Sequence, residues 1–129
     1  MVTDALHHLA LGTVDVERLA RFYRELFDLK ECARHLDEQG ALRSIWLELG
    51  SAYLMIERTQ SPPRRVESVE AGLFLMAFRV SVAERLRLEA ALEARGQRVE
   101  ARTAFTSYSR DLDGNRIALS HYPVAAEAE

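Results

Sequence analysis

The chain of 129 residues has one cysteine (Cys32), one tryptophan (Trp46) and one lysine (Lys30). A single cysteine excludes an internal disulfide and any zinc site built on several thiolates. Of the 17 basic residues all but Lys30 are arginine, which reads as a coding bias and not as a function. No apolar run approaches the roughly 18–20 residues of a membrane helix. The opening MVTDALHH has no basic segment followed by an apolar core, so no secretory signal is expected and the cytoplasm is the expected location. A net charge of -3 and a pI of about 5.8 give no general attraction to nucleic acid or membrane. Glycine-rich phosphate loops and nucleophile elbows are also missing. What remains is a composition 48% hydrophobic and 29% charged, that of one soluble domain with a real core.

The most informative feature present is a repeat whose halves differ in chemistry. His8-Leu-Ala-Leu opens the first half and Leu75-Met-Ala-Phe the second, 67 positions later. Glu17-Arg18-Leu19 recurs at the same offset as Glu84-Arg85-Leu86, and Ala10 as Ala77. The first half then reads Leu54-Met-Ile-Glu57 where the second reads Arg116-Ile-Ala118-Leu. The first half thus offers a His and a Glu where the second offers a Leu and an Ala.

Residues 6–13 form a short apolar run, a strand, before Asp15, a good helix N-cap. Val16, Leu19, Ala20, Tyr23, Leu26 and Phe27 then recur at helical spacing. Residues 29–36 suit an irregular strand, 42–49 an alternating one, and 52–58 another after a turn at Gly50-Ser51. The stretch 59–71, with Pro62-Pro63 and Arg64-Arg65, reads as a linker. The pattern restarts with a strand over 73–80. Ser81-Val-Ala-Glu84 is a capping box for a helix to about Arg95 that Gly96 closes. Strands follow over 97–102, 105–110 and 115–122. Asp111-Leu-Asp-Gly114 makes a turn and not a calcium loop, because the twelfth loop position is Tyr122. Each half is therefore βαβββ, with 124–129 an expected unstructured tail.

His8-Leu-Ala-Leu with Asp15-Val-Glu-Arg-Leu-Ala-Arg-Phe-Tyr23, Met55-Ile-Glu57, Met76-Ala-Phe-Arg-Val80 and Asp111-Leu-Asp-Gly-Asn115 resemble the vicinal oxygen chelate superfamily. That superfamily includes glyoxalase I, extradiol dioxygenases, fosfomycin-resistance enzymes and bleomycin-resistance proteins. The resemblance runs from Leu6 to Tyr122. It implies an α+β fold: two βαβββ modules, about 5–58 and 72–122, form a curved mixed sheet around a cavity within one domain spanning 1–129, with the helices outside. It also implies a homodimer. In metal-dependent members the ligands come from the first and last strands of each module. The resemblance carries those positions to His8, Glu57, Leu75 and Ala118. Leu and Ala cannot coordinate, and the His8–Glu57 remnant falls short of the three protein ligands usual for catalytic zinc. No metal and no cofactor are therefore expected. Shifted ligands such as His7, Glu48 or His121 are the way out, though strand alternation sets His7 and His121 out of phase.

Alternation places Leu6, His8, Ala10, Ser44, Trp46, Glu48, Tyr53, Met55 and Glu57 of the first half on the cavity face. From the second half it places Leu73, Leu75, Ala77, Arg79, Thr106, Tyr108, Arg116, Ala118 and Ser120 there. His8 suits a general base or a donor to a ligand; otherwise it hydrogen-bonds Glu57. Glu57 orients His8, acts as a base, or pairs with Arg79 or Arg116. Trp46 stacks on a planar ligand or packs in a core or dimer interface. The resemblance suggests a substrate-contacting role for Tyr108. Arg79 and Arg116 clamp an anion or are solvated and ion-paired. Cys32 is given no role.

The leading expectation is a metal-independent pocket for a small, planar or aromatic organic molecule, used for sequestration or sensing. The alternatives are a metal-free lyase or isomerase using His8 and Glu57 as acid and base with Tyr108, a metalloenzyme with an unusual ligand set, and a structural dimer whose cavity is filled by Trp46 and Met55.

Overall fold

The computed structural model describes residues 6–126, so the end of the expected tail, 127–129, lies outside the described residues. The chain divides into two compact units, Met1–Pro63 and Arg64–Glu129. Each is built on one helix and one four-stranded mixed sheet. Among the described residues no helix is long and apolar enough to cross a membrane.

Unit one runs β1 (His8–Thr13), α1 (Val16–Phe27), β2 (Glu31–Leu36), β3 (Leu42–Leu49) and β4 (Ala52–Arg58). The sheet order is β1-β4-β3-β2, with β1 parallel to β4 and the remaining pairs antiparallel. Helix α1 starts where the sequence places it: the Asp15 carboxylate accepts from the Arg18 amide and satisfies a free helical N–H. Its apolar stripe, Leu19, Ala20, Tyr23 and Leu26, is buried. So are Ile45 and Leu47 of β3 and Leu54 and Ile56 of β4, the strands that α1 contacts. The period of two then leaves Trp46, Tyr53, Met55 and Glu57 on the face that α1 does not cover.

Unit two runs β5 (Met76–Arg79), α2 (Val82–Ala94), β6 (Ala101–Arg102), β7 (Thr106–Arg110) and β8 (Arg116–Ser120), with sheet order β5-β8-β7-β6. Both halves of the capping box form, Ser81 Oγ accepting from the Glu84 amide and Glu84 from the Ser81 amide. Ile117 and Leu119 of β8 are buried with Leu88 and Leu92 of α2 on the helix side. Asp111 caps its turn, accepting from the amides of Asp113 and Asn115, and Gly114 supplies the left-handed φ of 89°.

Two strands are much shorter than the sequence suggests, and four others lose one to three terminal residues. The expected strand 73–80 begins only at Met76, because its partner β8 begins at Arg116 and Met76 already faces Ile117. Leu73 is 78% exposed. The expected strand 97–102 shrinks to 101–102. The Gln97 amide is drawn to Leu92 O and the Val99 amide to the Glu93 carboxylate, so these donors serve the helix and not the β7 ladder.

Candidate functional site

In unit one the uncovered face carries an aromatic cluster at one end. His8 lies opposite Tyr53 in the parallel register. The His8 and Trp46 rings are 4.9 Å apart between centroids, and those of Trp46 and Tyr53 are 5.9 Å apart. Trp46 is half-buried and lies across from Met55. Glu48, opposite Tyr53, is exposed. The cluster follows from the pleat: His8, Tyr53 and Trp46 sit on three adjacent strands with the same phase.

His7 is a correction to the alternation argument. It precedes β1, and its carbonyl accepts from the Tyr53 amide. Its Nδ1 lies 2.9 Å from Nδ1 of His8, and its ring is 5.6 Å from that of Tyr53. One imidazole must donate and the other accept in that contact. The anticipated His8–Glu57 hydrogen bond is not what the register provides. Glu57 lies opposite Gly12, four residues along β4 from the partner of His8, or about 13 Å.

The register also revises which residues correspond between the halves. The offset of 67 maps Ala10 onto Ala77 and Gly12 onto Arg79. Ala10 pairs with Met55 and Ala77 with Ala118; Gly12 pairs with Glu57 and Arg79 with Ser120. Met55 is therefore the counterpart of Ala118, and Glu57 that of Ser120. Glu57 and Ala118, to which the sequence resemblance carried the last-strand positions, are thus not counterparts of one another. Leu75 itself sits one residue before β5.

In unit two the uncovered face is basic. Tyr108 lies opposite Ala118, and Arg116 lies over two rings, its guanidinium carbon 4.7 Å from the Phe74 centroid and 5.7 Å from that of Tyr108. Arg79 is exposed. The hydroxyls of Thr106 and Ser120 meet at 2.9 Å. Arg110, opposite Arg116, is turned away: its Nε donates to both Glu100 oxygens and its Nη1 to the carbonyls of Val66 and Gly114.

The sequence reading missed Arg85. It is buried in α2, and it donates to Ser107 Oγ at 2.7 Å, to the carbonyls of Thr103, Ala104 and Thr106, and to His121 Nε2. With Nε2 accepting, the ring proton sits on Nδ1 and is donated to Val124 O. Both His121 nitrogens are thus engaged, so it is not a free shifted ligand. Ser107 Oγ also donates to Glu89, which pairs with Arg85 and Arg102. Burial alone would raise the Glu89 carboxyl, but the Ser107 and Arg102 hydrogen bonds and the two guanidinium charges outweigh it and hold the group below its ordinary range. The available signal was spacing: Arg85, Leu88 and Leu92 lie on one helical stripe.

The whole pattern has parallels. A mutant of the fosfomycin resistance protein FosX from Listeria monocytogenes, complexed with Mn(II) and 1S,2S-dihydroxypropylphosphonic acid, superposes with a TM-score of 0.78 at 17% identity over 96% of each chain. A glyoxalase family protein from Enterococcus faecalis gives 0.70 at 26% identity, covering 93% of this chain and 99% of that one. Lactoylglutathione lyase from Agrobacterium tumefaciens gives 0.65 at 22% identity, covering 90% and 92%. No curated relative matches by sequence. The family model of the glyoxalase/bleomycin resistance protein/dioxygenase superfamily matches residues 5–119, and the chain belongs to that superfamily.

Proposed function

We propose that this protein binds a small planar or aromatic organic molecule without a resident metal, for sequestration or sensing, as a cytoplasmic homodimer. The observation that carries this reading is the register. It matches Met55, and not Glu57, to the Ala118 position, which supports reading His8, Met55, Leu75 and Ala118 as the counterparts of the ligand positions that the resemblance implies. One imidazole, a thioether and two hydrocarbon side chains do not suit the zinc, manganese or iron sites of such enzymes. The aromatic cluster of His8, Trp46 and Tyr53 supports a ligand with a flat apolar body.

Trp46 is the sole tryptophan, so fluorescence excited where tyrosine does not absorb reports on this cluster. Titration with 2-naphthol is expected to give saturable quenching that weakens at least fivefold in Tyr53→Ala. Linear, unsaturable quenching by every planar probe, the same in both proteins, would contradict the reading.

A second reading, a metal-free lyase or isomerase, is favoured by one observation. The two Nδ1 atoms of His7 and His8 are 2.9 Å apart, a geometry suited to passing a proton. Tyr108 would then contact the substrate, with Glu57 excluded from direct contact with His8. Turnover lost in His8→Ala with binding retained would favour the enzyme. Binding lost with no turnover in either protein would favour the binder.

A further inference from the structure

Arg116 has an arrangement that packing alone does not require. Its guanidinium carbon lies over both the Phe74 and the Tyr108 ring. Its Nε is buried and has no hydrogen-bond partner among the described residues. A buried N–H without an acceptor is costly and calls for an explanation. Among the described residues no ion pair is formed by Arg116. Glu100 is taken by Arg110 and Arg65.

We infer that Arg116 is the anchor of an oxyanion subsite on the uncovered face of unit two, and that the ligand of this protein carries a carboxylate or phosphate-type group. The inference rests on the small-molecule reading above for the ligand's planar body. Contact with two ring faces satisfies the charge of the guanidinium but none of its N–H groups, which remain donors of the kind that fork onto an oxyanion. The rings also fix the side chain beforehand, so less rotational freedom is lost when the anion docks. Arg79, exposed on the same face opposite Ser120, adds a second positive charge. Arg110 cannot serve, since Glu100 and two carbonyls occupy it. The face therefore selects charge as well as shape.

The test uses the full chain labelled with ¹⁵N, following arginine Nε–H signals at constant ionic strength. The probes are sodium benzoate, its neutral analogue benzamide, and inorganic phosphate. Benzoate and phosphate are expected to shift the Arg116 Nε–H saturably, with benzamide at least tenfold weaker. Arg116→Gln is expected to weaken benzoate at least tenfold, and Arg79→Gln by less than threefold. If Arg116→Gln does not fold, Arg116→Lys must still lose at least fivefold, because an ammonium keeps the charge but not the planar fork. Equal binding of benzamide and benzoate, benzoate affinity unchanged in the Arg116 variant, or shifts that sodium chloride reproduces would each overturn the inference. Saturable quenching of Trp46 by 2-naphthol with no anion effect at Arg116 removes this inference alone. An anion effect at Arg116 without any such quenching removes the planar-ligand reading and leaves the subsite standing.

Discussion

His8 and Glu57 stand near opposite ends of the β1–β4 ladder, His8 facing Tyr53 and Glu57 facing Gly12. Two residues that the sequence suggests as an acid/base pair are thus separated by the register. The imidazole that reaches His8 is that of its chain neighbour, His7.

This separation predicts different consequences for the two candidate partners. Glu57→Gln is expected to leave the imidazole nitrogen resonances of His8 unchanged, whereas His7→Ala shifts them. Nitrogen NMR of the ring-labelled protein checks this. A shift of His8 in Glu57→Gln that equals the one in His7→Ala would restore the pair.

Arg85 ties α2 to β7 and to the turn before it through five acceptors: one hydroxyl, three carbonyls and one imidazole. Replacing it by Met leaves these acceptors without their donor and Glu89 with Arg102 alone. The expected loss of stability in urea denaturation is about 3–5 kcal/mol. Arg85→Lys, which cannot span all five, should fall between the two.

The Glu89 carboxyl is held below its ordinary value in the folded chain. The unfolded chain therefore takes up a proton at higher pH than the folded one does. The stabilisation is complete above the unfolded value, about 4.3, and is lost as pH falls through the lowered folded value. Denaturation midpoints measured between about pH 6 and pH 3 should fall less steeply in Glu89→Gln than in the parent.

Much of the fold was legible because its signals were local. Asp15 and the Ser81-Val-Ala-Glu84 box cap the helices where expected, and alternation in β3 and β4 separates Ile45, Leu47, Leu54 and Ile56 from Trp46, Tyr53 and Met55. The site was less legible because register is not local. Met55 and Glu57 share a phase, and a period of two cannot detect a slip of two, so a motif match settled on Glu57. Arg85 was hidden by its resemblance to Arg18, its counterpart in the repeat, which is exposed in α1. His7, which alternation set out of phase with His8, lies one residue before the strand, where its ring meets that of His8. The shortening of the strand before Arg102 depends on where the Gln97 and Val99 amides find acceptors, which only the folded helix determines.

A site that works without a metal should be silent in calorimetric titration of the purified, metal-stripped chain with Zn²⁺, Mn²⁺, Fe²⁺ and Ni²⁺. No stoichiometric binding in the micromolar range is expected, and at most weak heat changes that Glu57→Ala leaves as they are. Stoichiometric micromolar binding that His8→Ala or Glu57→Ala abolishes would contradict a metal-free site.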